Sequence, residues 1–319
     1  LLRPVQLPGA LQIGDPRQPI SVISLGPAYH RFSFMLDSAD DFERERAPEK
    51  VWRRVARFLG TDDAELIRVA TYTFRSLVAH RWRVGRVLLA GDAAHQMPPF
   101  LGQGLCSGVR DAQNLAFKFD LLLRGRVGDG VLDSYQSERE PHVRAVIEKG
   151  VEMGRRQTVR DPALAAERDR VLLAMRAANQ KPDRIRFPGL GPGVVADTPG
   201  AGELSVQGVV EDGDGRRGRF DEIVGRGFVL LVEPHLLAAV DAAALDDAGV
   251  RVVALDAGVA DVEGTYRAWF AELACAAVAV RPDFYLFGTA TDADTLRALV
   301  ADLRVAVGGG VRTELSPIG

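Results

Sequence analysis

Cysteine is nearly absent from this 319-residue chain, with Cys106 and Cys275 as the whole supply. Two cysteines so far apart build no disulfide framework and offer no paired-cysteine metal site. Lysine is scarce too, confined to Lys50, Lys118, Lys149 and Lys181, so arginine carries the positive charge. Acids balance it: 40 basic against 43 acidic side chains leave a formal net charge of −3. That excludes a basic nucleic-acid footprint or a polybasic membrane patch covering the whole chain. No apolar run approaches the roughly 18 residues of a membrane span. The opening Leu1-Leu2-Arg3-Pro4 has neither an initiator methionine nor a signal-peptide layout. The expected location is therefore cytoplasmic, and a chain that opens in mid-pattern reads as processed or as a piece of something longer.

What is present is ordinary globular composition, 47% hydrophobic and 26% charged, at a length that favours more than one core. Val22–Leu25 and His30–Leu36 read as strands around a Gly26-Pro27 turn, Pro48–Leu59 as a helix stopped by Gly60, and Val69–Val78 as β-rich. Together they form a first segment, 1–84. In the second, 85–186, Val87–Ala90 reads as a strand buried on both faces. A helix over Ser107–Leu123 follows, with Val109, Ala112, Ala116, Phe119 and Leu123 as its apolar side, then a polar helical stretch from Ser134 to Asn179. Residues 187–202, rich in glycine and proline, read as a linker. Beyond them, 203–319 alternates buried-strand runs with helices, the pattern of a small α/β domain.

Chemistry concentrates where the Val87–Ala90 strand ends. Gly91-Asp92-Ala93-Ala94-His95 is followed by Pro98-Pro99, Gly102-Gln103-Gly104 and a helix reading Arg110-Asp111-Ala112-Gln113-Asn114-Leu115-Ala116. A strand ending in a carboxylate, then a proline-stiffened, glycine-permissive loop opening a helix, gathers backbone N–H groups that stabilise negative charge. The plain alternative is a generic strand–loop–helix joint with Asp92 as a cap.

The ordered combination resembles the second FAD-binding motif of the class A flavin-dependent aromatic hydroxylases. Asp15-Pro16-Arg17, His30-Arg31-Phe32 and Leu105-Cys106-Ser107-Gly108 resemble the 3-(3-hydroxyphenyl)propionate hydroxylase branch most. The resemblance implies cofactor contacts from Gly91, Asp92, Pro98, Pro99, Gly102, Gln103, Gly104, Leu105 and Cys106. Asp92 would accept from the ribityl hydroxyls, the two prolines would flank the isoalloxazine ring, and the N–H groups of Gly104, Leu105 and Cys106 would face the flavin N1–C2=O edge. Leu101 and Cys106 depart from common family residues, which puts a side-chain contact at 106 in doubt while leaving backbone donation intact. Cys106 otherwise reads as a packing residue, because no base is placed beside it. His95 has no ligand cluster around it and reads as conformational or pyrophosphate-side. Arg110 and Asp111 are either a surface ion pair or part of the flavin-loop scaffold. Phe32, Phe34, Tyr72 and Phe74 read as strand core residues, and the family's substrate-roofing strands make Phe34, Tyr72 and Phe74 candidate substrate contacts. Arg31, Arg75 and His80 are the cations that could meet a substrate carboxylate. No catalytic side chain is assigned and no metal is expected.

The C-terminal part, from about Val195, resembles the thioredoxin-like domain appended to many of these hydroxylases. Glu233-Pro234-His235 replaces the redox Cys-x-x-Cys, so a structural role or a homo-oligomer contact is implied, and a cis peptide is expected at Arg281–Pro282. The dinucleotide unit Gly-x-Gly-x-x-Gly is missing: Gly189-Leu190-Gly191-Pro192-Gly193 lacks the third glycine and follows no strand. The expected fold is thus the later part of an aromatic hydroxylase, a substrate-domain β-sheet with a partial FAD domain, followed by the small α/β domain. The parent is expected to use FAD and NAD(P)H to hydroxylate a phenolic acid ortho to a hydroxyl through a C4a-hydroperoxyflavin. Two alternatives stand: this chain is a non-catalytic fragment, or the substrate is a polyketide-type polycyclic aromatic. The other partners implied are the small aromatic substrate and oxygen.

Overall fold

The computed structural model describes residues 1–37, 41–180 and 185–308. Its backbone divides into two compact units, Leu1–Ser76 with Met97–Leu101 and Ile147–Ile185, and Leu77–Gln96 with Gly102–Val146 and the chain from Arg186 onward. Among the described residues no helix is long and apolar enough to cross a membrane.

In the first unit, strands Ala10–Ile13, Ile20–Ser24 and His30–Phe34 form an antiparallel meander, with Ile13 opposite Ile20 and Ser24 opposite His30. Val22 and Ile20 turn inward, and Phe32 meets the Phe58 ring at 5.3 Å. The Pro48–Val55 helix starts on its proline and is shorter than the sequence suggests, with Phe58 and Leu59 in the turn that follows. Of the Val69–Val78 stretch read as β-rich, only Leu77–Val78 pairs, with His95–Gln96, and 69–76 form no strand. Their β-forming side chains find no neighbouring ladder, and strand propensity counts only where a pleated partner exists.

The C-terminal part of the second unit is a four-stranded sheet in the order Val250–Ala254, Phe228–Val232, Ala277–Val280, Leu286–Ala290. Its first pair is parallel and the other two pairs are antiparallel. Every residue of Phe228–Val232 is buried because both faces are covered. Phe228, Leu230 and Val232 face Leu245, Leu296, Leu299 and Leu303 with Phe117 and Leu121, while Val229 and Leu231 face Tyr266, Trp269 and Phe270. The expected α/β class therefore holds.

The cis peptide does not: the Arg281–Pro282 bond is trans. Arg281 and Phe284 close a tight turn, the Phe284 N–H donating to the Arg281 carbonyl at 3.0 Å, and Pro282 takes the second turn position, where a trans proline is favoured. Val87–Ala90 departs as well. Only Val87–Leu88 is paired, in a hairpin with Arg83–Val84, and Val87 is 67% exposed. A run apolar enough for a doubly covered strand has, among the described residues, only the two-residue Arg83–Val84 strand paired with it.

Gly191 and Gly193 are close-approach residues. Pro141 lies inside the Ser134–Gln157 helix and lacks the N–H that would reach the Ser137 carbonyl. Gly191 lies against that carbonyl, and its own N–H donates to the Glu138 carbonyl at 2.8 Å. A side chain on Gly193 would overlap Glu138.

Candidate flavin-loop site and its buried polar seam

Trp82 is fully buried beside the rings of Tyr135 and His95, at 5.3 and 5.4 Å, and its indole N–H donates to the Ala79 carbonyl at 3.1 Å. The Tyr135 hydroxyl donates to the Leu89 carbonyl at 3.1 Å. These contacts fix the segment before the turn. Gly91 then takes φ +56°, a left-handed conformation natural to glycine, and begins the 3₁₀ turn Gly91–Ala93 that presents Asp92 to solvent. A Cβ on Gly108 would come within 3.4 Å of the Gly91 Cα, so the absence of both side chains lets the turn rest on the Gly104–Leu123 helix.

One helical turn further on, the fully buried Asp111 ties this turn down. One of its carboxylate oxygens accepts the Gly91 N–H at 3.0 Å and meets His95 Nε2 at 2.7 Å, and the other accepts from Arg139 Nε at 2.9 Å. Burial alone would raise the Asp111 carboxyl, but the His95 hydrogen bond and the Arg139 charge reverse that and hold it below its usual range. Asp111 is thus scaffold, and Arg110 is not its ion-pair partner. Arg110 donates to the Gln103 side-chain oxygen at 3.2 Å and lies over the Phe187 ring.

The helix begins at Gly104, three residues earlier than the sequence suggests. Gln103 precedes it without capping it through its side chain, and its first turn carries no acid. The first N–H groups of a helix have no intrahelical partner. Those of Gly104, Leu105 and Cys106 follow an open Gly102 at φ +64°, and Leu105 and Cys106 are exposed.

The proline and aromatic candidates lie in the first unit. Pro98 is buried and Pro99 starts a 3₁₀ turn to Leu101. Phe74 meets Phe100 edge to face at 5.5 Å, and Phe100 packs so closely on Gly154 that a Cβ there would overlap its ring. Phe34 is half-buried at the end of its strand, while Tyr72 is 64% and Phe74 46% exposed, so these last two are not the core residues the sequence suggested.

The buried side of the Gly104–Leu123 helix also differs from expectation. Val109 and Leu123 are exposed, whereas Ser107, Asp111, Asn114 and Lys118 form a buried polar stripe at spacings of four, three and four. It faces Glu138 and Arg139. Glu138 accepts from Asn114 Nδ2 at 2.6 Å, Lys118 Nζ at 2.9 Å, Arg281 Nη2 at 2.8 Å and the Val194 N–H at 2.6 Å. The Arg281 and Lys118 charges outweigh burial and hold its carboxyl down at about 2, while burial brings Lys118 down to about 8. Asp283 completes a balanced set of two cations and two anions by accepting from Arg281 at 2.7 and 3.0 Å. No reading of the sequence found this seam, although the 107-111-114-118 spacing of polar residues carried the signal.

Residues 13–150 match the FAD binding domain family, and residues 202–306 match the HcaD C-terminal domain. A probable NADH-specific resorcinol 4-hydroxylase of Rhodococcus jostii is 48% identical over 94% of this chain and 58% of its own length. The chain belongs to the flavin-dependent aromatic hydroxylases. A 3-(3-hydroxy-phenyl)propionate/3-hydroxycinnamic acid hydroxylase of Burkholderia vietnamiensis, from the branch the motifs resemble, is 34% identical over 91% of the chain and 59% of its own length. The crystal structure of the flavin-dependent monooxygenase PieE with FAD and substrate superposes with a TM-score of 0.68 at 27% identity, over 92% of this chain and 60% of that one. The chain therefore spans a little under three fifths of the curated hydroxylases it matches. The C-terminal part of the chain matches the HcaD C-terminal domain, and its trans Arg281–Pro282 peptide lacks the cis bond expected of a thioredoxin-like one.

Proposed function

We propose that this chain supplies the flavin-loop and substrate-covering parts of a cytoplasmic FAD- and NADH-dependent monooxygenase that hydroxylates a diphenol of the resorcinol type ortho to a hydroxyl. The observation that carries the reading is the uncapped start of the Gly104–Leu123 helix, with the exposed Asp92 turn held against that helix by Asp111. The donor set fits FAD. Asp92 would accept from ribityl hydroxyls, and the N–H groups of Gly104, Leu105 and Cys106 would face the anionic edge of the ring, where a helix start contributes about 0.3–1 kcal/mol and up to ~2 when partly buried. FAD held there would supply the redox chemistry that couples NADH oxidation to oxygen activation. Pro98 and Pro99 would stiffen the loop, and Phe74 is a candidate contact for a phenolic ring. The resorcinol class is favoured over a phenolic acid by the higher identity of the relative so named. The exposure of Arg31, Arg75 and His80 supports it too, because a bound carboxylate calls for a sheltered cation. The C-terminal part takes a structural or subunit-contact role.

Titrating the purified chain with FAD tests this. Flavin absorbance that stays with the protein, with affinity at least about tenfold weaker in Asp92→Ala, supports the reading. A chain that stays colourless at saturating FAD overturns it in favour of the non-catalytic fragment. NADH consumption that rises with resorcinol above 3-(3-hydroxyphenyl)propionate and a polycyclic phenol supports the substrate class, and the reverse order rejects it.

A further inference from the structure

We propose that Arg281, in the C-terminal part, is a positioning residue for the flavin loop, acting through Glu138 and Arg139 on Asp111. The inference rests on the Gly91–His95 turn being that loop.

The path consists of groups at most 2% exposed. Every nitrogen of the Arg281 guanidinium has a partner: Nε and Nη2 donate to Asp283, Nη2 also to Glu138 at 2.8 Å, and Nη1 to the Val194 carbonyl at 2.9 Å. Its carbon lies 4.9 Å from the centre of the Phe117 ring. The charge therefore sits in one orientation. Glu138 is fixed from the other side by Asn114 and Lys118, so directed bonds join the two long helices here. The next residue on the same helix is Arg139, whose Nε holds Asp111, and Asp111 in turn holds the Gly91 N–H and His95. Moving Glu138 moves Arg139 with it.

Removing the Arg281 charge leaves Glu138 and Asp283 with Lys118 as the one cation still bonded to Glu138, an excess of one buried anion. Two like charges in a dry interior separate or gain a proton, and either response shifts the stretch of helix that carries Arg139. A purely structural Arg281 would lower stability without altering the turn while the protein remains folded.

The test compares Arg281→Met with Leu296→Ala, a core truncation in the same part of the chain that leaves the seam intact. Both are studied in the full chain, well below their unfolding temperatures. The first readout is amide exchange at Gly91, and the second is the ¹⁵N resonance of the His95 ring. In Arg281→Met, Gly91 exchange should rise at least about tenfold and the His95 ring signal should move, while Leu296→Ala leaves both as in the parent. Arg281→Lys restores the charge without the fork and should give the same changes at reduced size, so it serves if Arg281→Met does not fold. Gly91 protection and a His95 signal unchanged in the folded Arg281 variants would overturn the proposal. Neither readout requires FAD, so a chain that binds no flavin refutes the proposed function and leaves this inference standing or falling by itself.

Discussion

Replacing Glu138 by glutamine tests the seam most directly. The carboxylate is fully buried and accepts four hydrogen bonds, three on one oxygen from Asn114, Lys118 and Arg281 and one on the other from the Val194 N–H. Glutamine keeps the shape, removes the charge and brings an NH₂ group into a ring of donors. One excess buried cation remains, and breaking a buried pair in this way costs about 3–5 kcal/mol. Total stabilities run at roughly 5–15 kcal/mol, and 1 kcal/mol shifts Tm by about 2–4 °C in a unit of this size, so Tm should fall by roughly 6–20 °C. Adding Lys118→Met restores the balance, leaving Arg281 against Asp283, and the double variant should recover about 1–3 kcal/mol relative to the sum of the single effects. Urea unfolding at constant m reads both numbers. The sign with pH is also set. The Glu138 carboxyl is depressed from 4.5 to about 2, so its stabilisation is complete above pH 4.5 and is lost as pH falls toward 2. Glu138→Gln should flatten the parent's loss in that window. A single variant within about 1 kcal/mol of the parent, or a strictly additive double, would refute the reasoning.

Other positions answer to simpler physics. His142 is buried with neither ring nitrogen bonded, and burial together with the Arg139 and Arg110 charges lowers it to about 4. The unfolded chain therefore binds a proton first, and stability should fall by about 3 kcal/mol between pH 6.5 and 4, a loss that His142→Phe removes from the acid limb of a Tm–pH series. Ala274 ends the Thr265–Leu273 helix at φ 48°, ψ 44° and is exposed, so Ala274→Gly should raise stability by about 1 kcal/mol in the same urea assay. Gly154→Ala should cost about 1–3 kcal/mol by pushing the Phe100 ring off its helix, seen as a lower Tm and a shifted Phe100 ring resonance.

How legible each feature was in the sequence follows from where its information lies. The turn and helix start from Gly91 to Gly104 were legible because they are contiguous: Gly91, the two prolines and Gly102–Gly104 are specified by local backbone needs that survive without tertiary context. The C-terminal strands were legible for a related reason, since a strand covered on both faces, such as Phe228–Val232, is apolar at every position. The same rule misled at Val87–Ala90, because an apolar run states what a strand requires and not whether a neighbour supplies it. The helix after the loop was read inside out for a deeper reason. Polar residues at 107, 111, 114 and 118 look like a solvent face, and only partners at 138, 139, 281 and 283, far along the chain, make their burial affordable. A buried polar seam is a property of pairs, and no single stretch contains it. That also locates its use. Apolar contacts let helices settle at many offsets, whereas a carboxylate with four donors accepts one. If the loop presents Asp92 and a helix start to one ligand geometry, as proposed, it gains from the second kind of contact, whatever the seam contributes to stability.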